Sequence, residues 1–173
     1  MASNMLALIG QMAAVAGAAL LLAAALHDVA ARTIPNWVSL ALCALGVLLR
    51  WLEGTLLPGL SLGLVVFAFA VLCWKWGCWG GGDVKLISAA AVFVPPGHVG
   101  DLVLATSLAG GVVALVYLAG RELRKRRPRP VGARPQGLVA RILRVERRRF
   151  GRGGPLPYAS AIAAGTLFII FAG

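Results

Sequence analysis

Apolar residues occur along this chain in long runs separated by short polar segments. The first run contains no charged residue over 22 positions, and at about 1.5 Å per helical residue it can cross a hydrocarbon core of ~30 Å. Further runs follow to the end of the chain and predict about six transmembrane helices in one all-α domain over residues 1–173. The predicted spans are residues 5–26, 36–52, 57–76, 84–94, 101–120 and 155–172.

The fourth run is too short to cross a membrane. Residues 84–94 extend for roughly 16 Å as a helix, about half a bilayer core. Either this helix begins earlier, or it is re-entrant, or Asp83 lies below the membrane surface in a water-filled cavity. We favour the cavity, because Asp83 and Lys85 both need solvation, and non-helical backbone at this depth must be buried in protein or face water.

Composition supports a membrane protein and excludes a nucleic-acid-binding one. The chain is 60% hydrophobic and 13% charged, with a mean hydropathy of +0.85. Of its 17 Lys and Arg residues, 13 lie within 121–152, so the net charge of +11 marks one loop. The positive-inside rule predicts that loop 121–154 is cytoplasmic. Residues 136–150 could form an amphipathic helix on the anionic inner leaflet, the alternative being a disordered loop.

Counting spans back from the basic loop gives the predicted topology. Both termini lie outside, and the connectors 27–35 and 75–85 share the cytoplasmic face. This count brings Asp28 and Asp83 to one side of the membrane. Arg50, near the outer end of the second span, is the exception, and its long side chain is expected to snorkel to the interface.

Two carboxyl groups on separate helices at one wet face can act as an aspartic dyad. Like charges close together disfavour double ionisation, so one carboxyl stays protonated while the other takes a proton from water. Gly80 and Gly82 would let backbone approach the site closely. Structural ion pairs explain the same residues about equally well on spacing alone, with Asp28 pairing with Arg32 or Lys85 and Asp83 pairing with a neighbouring lysine.

Two sequence motifs resemble those of the prepilin peptidases, the aspartic leader peptidases of type IV pili and type II secretion. The first motif is Asp28-x-x-x-Arg32-x-Ile34-Pro35-Asn36, and the second is Gly80-x-Gly82-Asp83-x-Lys85. A weaker third match is Pro155-x-Pro157-Tyr158-Ala159 at the start of the last span. The order of the motifs and the six-span topology also fit this family, whereas the 121–154 loop does not take part in the resemblance.

The resemblance implies a membrane endopeptidase of the bacterial inner membrane with its active site facing the cytoplasm. Asp28 and Asp83 would be catalytic. The substrate would be a pilin or pseudopilin precursor, cut after a short leader and before its hydrophobic helix. The residues expected to bind substrate or shape the site are Gly80, Gly82, Lys85, Arg32, Pro35 and Asn36. No metal ligand and no cofactor are implied.

Longer family members carry an N-terminal region with paired C-x-x-C motifs that is associated with N-methylation. The first predicted helix begins at about residue 5, which leaves no room for that region. We therefore expect peptidase activity without methyltransferase activity, S-adenosylmethionine or zinc, as in the short forms serving Flp-type tight-adherence pili. The three cysteines form no C-x-x-C pair.

Two other functions use acids near membrane helices. A small transporter or assembly subunit would hold an acid deep within a regular helix, where it binds a proton or a substrate. An intramembrane aspartic protease would place Asp28 inside a span. The positions of both acids beside glycine or proline favour the leader peptidase.

Overall fold

The computed structural model describes residues 2–125 and 158–172, and within these ranges the regular structure is entirely helical. The α-helices are α1 (Ala2–Ala31), α2 (Asn36–Leu52), α3 (Leu56–Lys75), α4 (Gly81–Phe93), α5 (Val99–Lys125) and α6 (Tyr158–Ala172). A short 3-10 turn at Pro96–His98 precedes α5. The prediction of an all-α chain is confirmed, and the described ranges contain six α-helices.

Three of the described helices are long and apolar enough to cross a membrane, which indicates a membrane protein. These candidate spans are Ala7–Ala31, Leu56–Lys75 and Pro96–Gly120. The helices α2 and α6 are apolar but shorter. Large apolar side chains such as Leu64, Leu115 and Phe168 are more than half exposed, as expected of side chains that face lipid. The sidedness of the two termini stays a prediction.

The short helix α4 is the centre of the packing. It lies against α2, α3 and α6, and its residues from Val84 to Phe93 are buried apart from Lys85 and Ser88. The backbone of Phe93 passes so close to Gly46 of α2 that a Cβ there would lie 2.7 Å from it. The helix begins at Gly81, three residues before the predicted start, so Asp83 belongs to its first turn.

The first helix is longer than its apolar run predicted. It continues through His27 and Asp28 to Ala31, because polar residues near a helix end do not interrupt its hydrogen bonds. It ends at Arg32, whose φ of 58° is left-handed and whose N–H donates to Asp28 O at 2.8 Å. The predicted connector 27–35 is therefore only residues 32–35, and Asp28 lies in the last turn of α1.

The expectation that Arg50 snorkels is wrong. Its side chain is 2% exposed, and its two terminal nitrogens lie 2.8 and 3.0 Å from the carboxylate oxygens of Glu53. Gly59 of α3 packs against the aliphatic part of the arginine. A local carboxylate thus compensates a charge that the sequence pattern assigned to the membrane interface.

The chain divides into two compact units. The first contains residues 1–110 and 157–173, and the second contains residues 111–156, where the described part is the end of α5. Most of the predicted basic loop 121–154, including the possible amphipathic helix at 136–150, lies outside the described residues. Residues 155–157 of the predicted last span lie outside them too.

Candidate active site

Asp28, on α1, lies in a buried position against the start of α6. Its side chain is 6% exposed, and its Oδ2 accepts a hydrogen bond of 3.3 Å from the N–H of Ala159, the second residue of α6. A donor from a helix that begins 130 residues later in the chain fixes one side of this carboxyl. The position is set by the last turn of α1 and the first turn of α6.

Asp83 occupies the third position of α4 and caps the helix on which it lies. Its Oδ2 accepts the N–H of Gly80 at 3.2 Å, which gives that otherwise unpaired donor a partner. A Cβ on residue 80 would lie 2.9 Å from the same oxygen. The glycine therefore makes room for the carboxyl as well as donating to it.

The charge of Asp28, on α1, acts on the carboxyl group of Asp83, on α4. Asp28 lies near the end of the candidate span Ala7–Ala31, contrary to the expectation that it lies outside a span, whereas Asp83 lies in none of the candidate spans. Burial raises the pKa of Asp83 to about 6, and repulsion by the charge of Asp28 is the second cause. The N–H of Gly80 and the charge of Arg32 act on this pKa in the opposite direction. Such a pair can hold one proton between two acids near neutral pH.

The connector after α1 brings the two motifs together. Ile34 packs against Gly82, where a Cβ would come within 3.2 Å of the isoleucine side chain. Pro35 stands immediately before α2 in extended backbone, and His27 Nδ1 donates to Thr33 O at 2.6 Å. Because residue 82 is glycine, the first turn of α4 can pack directly against the connector. Arg32, in that connector, is near enough for its charge to act on Asp83.

Lys85 does not form the ion pair that the sequence left open as an alternative. Its Nζ donates to Asn36 Oδ1 at 2.9 Å, which joins the first turn of α4 to the start of α2. Both residues are exposed. Asp83 is thereby left with a backbone donor and the nearby charges of Asp28 and Arg32, rather than with a lysine partner.

Sequence reasoning missed the contribution of Trp79. Trp74 and Trp76, near the end of α3, are exposed. Trp79 is instead half-buried and packs on Tyr158, with ring centroids 5.2 Å apart. The only signal for this contact was the weak third motif around Tyr158, since no periodic pattern links these two positions.

The structure thus has a helical fold of the membrane type with one carboxyl group in the last turn of α1 and another in the first turn of α4. A model of the type IV leader peptidase family matches residues 15–115, a range that includes Asp28 and Asp83. The chain therefore belongs to the type IV leader peptidase family. No curated protein and no solved structure matches it.

Membership has three general consequences. The family implies an aspartic peptidase, supports a function of the prepilin peptidase type, and implies pilin-like precursors as substrates. The matched range runs from the middle of α1 to the middle of α5 and does not reach α6. The hydrogen bond from Ala159 to Asp28 is a finding of the structure.

Proposed function

We propose that this protein is a membrane aspartic endopeptidase that removes the leader of type IV pilin or pseudopilin precursors at the cytoplasmic face of the bacterial inner membrane. Asp28 and Asp83 form its catalytic dyad. The residues that shape the site or meet the substrate are Gly80, Gly82, Lys85, Arg32, Pro35 and Asn36. The enzyme is of the short type that serves Flp-type pili, and it lacks methyltransferase activity.

The observation that carries this proposal is that two separate helix ends place Asp28 and Asp83 near enough for the charge of Asp28 to act on Asp83. Each carboxyl group has its own backbone donor, Ala159 for Asp28 and Gly80 for Asp83. An acid used only as a structural cap gains nothing from a second acid nearby. Catalytic carboxyl pairs are typically placed by the fold so that their negative charges repel each other.

The proposed reaction is general acid–base hydrolysis of one peptide bond. The ionised carboxyl removes a proton from a water, whose oxygen attacks the scissile carbonyl carbon. The protonated carboxyl gives its proton to the carbonyl oxygen, and a tetrahedral diol forms. The first carboxyl then returns a proton to the departing amine as the C–N bond breaks, and the diol returns its proton to the second carboxyl. The raised pKa of Asp83 suits it to the role of acid.

The proposal is tested by cleavage of a purified pilin-like precursor in detergent or in vesicles. We expect two products whose masses define one cut between the leader and the apolar helix, and no further mass change when S-adenosylmethionine is added. A precursor with its cleavage-site residues replaced is the substrate control. A chain that inserts and folds but leaves several pilin-like precursors intact would refute the proposed activity.

The pH dependence of cleavage follows from the role of Asp83. The acid must be protonated, and the protonated fraction of a group with a pKa of about 6 falls tenfold for each pH unit above that value. We therefore expect kcat/KM to decrease above about pH 6. Measuring kcat/KM between about pH 5 and 8 checks this, and a rise through the same range would assign Asp83 as the base instead.

The hydrogen bond between Lys85 and Asn36 supports the site from outside. Because an exposed bond of this kind contributes little to the position of α4, Lys85→Ala is expected to reduce kcat/KM by less than about tenfold. Because the two side chains act through each other, Asn36→Ala and the double variant should show a similar loss. Additive losses in the double variant would mean that Lys85 acts independently, for example on the substrate.

A further inference from the structure

The first turn of α6 makes a contact that the mechanism above does not use. The N–H of Ala159 donates to Asp28 Oδ2 at 3.3 Å, and both residues are buried, with Ala159 at 0% exposure. This bond connects residues 131 positions apart. A buried backbone donor has one fixed direction, so the bond limits how the carboxyl can rotate.

A helix start also favours an ionised carboxyl. The first four N–H groups of a helix lack partners within the helix, and the peptide dipoles give this end a partial positive charge. Asp28 accepts from such a start at 3.3 Å in a place with little solvent, where a hydrogen bond is little screened by water. Asp83 also accepts a helix-start N–H, from Gly80 at the exposed beginning of α4, so the two acids differ in burial rather than in the kind of donor.

Aromatic packing holds the first turn of α6 next to the second motif. The ring of Tyr158 lies against Trp79 at 5.2 Å and against Gly110, where a Cβ would lie 3.0 Å from the tyrosine oxygen. Trp79 directly precedes Gly80, which donates to Asp83. The donor of Asp28 and the donor of Asp83 are therefore linked through one pair of rings.

We propose that the first turn of α6 is a positioning element of the active site, in which the Ala159 N–H orients the carboxyl group of Asp28 for its role in the dyad. This inference rests on the proposed function. It assigns Ala159 and, through its ring, Tyr158 as positioning residues that do not touch the substrate.

The hydrogen bond can be tested on the unaltered protein without any activity measurement. The chain has two tyrosines, and only Tyr158 is followed by alanine, so carbonyl-13C tyrosine with 15N alanine labels a single peptide bond. We expect the shift of this one amide to change with pH as Asp28 titrates and to lose that change in Asp28→Asn. A shift that is independent of pH, or that titrates equally in Asp28→Asn, would overturn the inference.

The catalytic effect is tested by Ala159→Pro, which removes the N–H and is compatible with the first turn of a helix. Ala159→Val is the matched control because it keeps the N–H and its side chain has the same number of carbons as proline. Ala159→Pro is expected to lower kcat by about 10- to 100-fold with little change in KM, and to move the acid limb of the pH profile upward by about one unit.

Several outcomes separate this inference from the proposed function. Equal kcat values and equal acid limbs for Ala159→Pro and Ala159→Val would overturn the positioning role. If the aspartate variants are inactive in the same experiment, the catalytic dyad still stands. Full cleavage by Asp28→Asn would overturn the dyad whatever the amide signal does. If Ala159→Pro fails to fold, the single-amide titration decides the question alone.

Discussion

Replacing Asp28 or Asp83 by asparagine is expected to abolish precursor cleavage, with kcat at least about 10³-fold lower in each variant. Asparagine keeps the shape of the side chain and its ability to accept the N–H of Ala159 or Gly80. It cannot remove a proton from water or carry the mobile proton. Since both steps belong to one reaction, the double variant should be no worse than either single variant. Cleavage rates with membrane-inserted protein measure this.

Asp101→Asn is the matched control for the two aspartate variants. The chain has only three aspartates, and Asp101 is exposed at the start of α5, where it contacts His98 at 3.2 Å. It should cleave like the unaltered protein. Cleavage at more than about a tenth of the normal rate by Asp28→Asn or Asp83→Asn would exclude that residue from the chemistry.

The small number of aspartates also allows the coupling between the two acids to be measured directly. Carboxyl-13C aspartate labels three side chains, so the titration of Asp83 can be followed alone. In Asp28→Asn its midpoint is expected to fall below about 6, because the repulsion by Asp28 is lost, while burial still holds it above the ordinary value. An unchanged midpoint would show that the carboxyls do not interact.

Hydropathy and charge predicted much of this molecule for simple physical reasons. A run of 20 apolar residues has few alternatives to a membrane helix, so the number of helices could be read from the sequence. The positive-inside count predicted that Asp28 and Asp83 share one membrane face before any family resemblance was used, and this sidedness stays a prediction. Both inferences depend on properties that sum over many residues.

Features that depend on single contacts could not be read in the same way. The run 84–94 looked too short to be a membrane helix. In the structure, α4 begins on the glycine Gly81 and packs among its neighbours, so it need not face lipid along its length. Arg50 looked misplaced because its ion pair with Glu53, in the turn after α2, is a single side-chain contact. The bond from Ala159 to Asp28 joins distant residues through a backbone N–H, which every non-proline residue has, so no residue type could indicate it.

Substitution of Gly80, the first residue of the second motif, distinguishes an effect on folding from an effect on the active site. Gly80→Ala would place a Cβ 2.9 Å from Asp83 Oδ2, and the atom it meets is the end of a side chain that can rotate. We expect the carboxyl to turn away rather than the helix to move. Thermal stability should then change little, while kcat falls by about 10- to 100-fold because a catalytic group is misplaced.

Gly81→Ala is the control, because its Cβ would meet only Trp74 Nε1 at an ordinary distance of 3.8 Å. It lies one residue along the same turn and adds the same methyl group, so it reproduces any general effect of losing a glycine. Near-normal cleavage by Gly81→Ala beside a strong loss in Gly80→Ala would show that the carboxyl position matters more than backbone freedom. Equal losses in both variants would mean that the glycine run acts through its flexibility, with Asp83 positioned by other contacts.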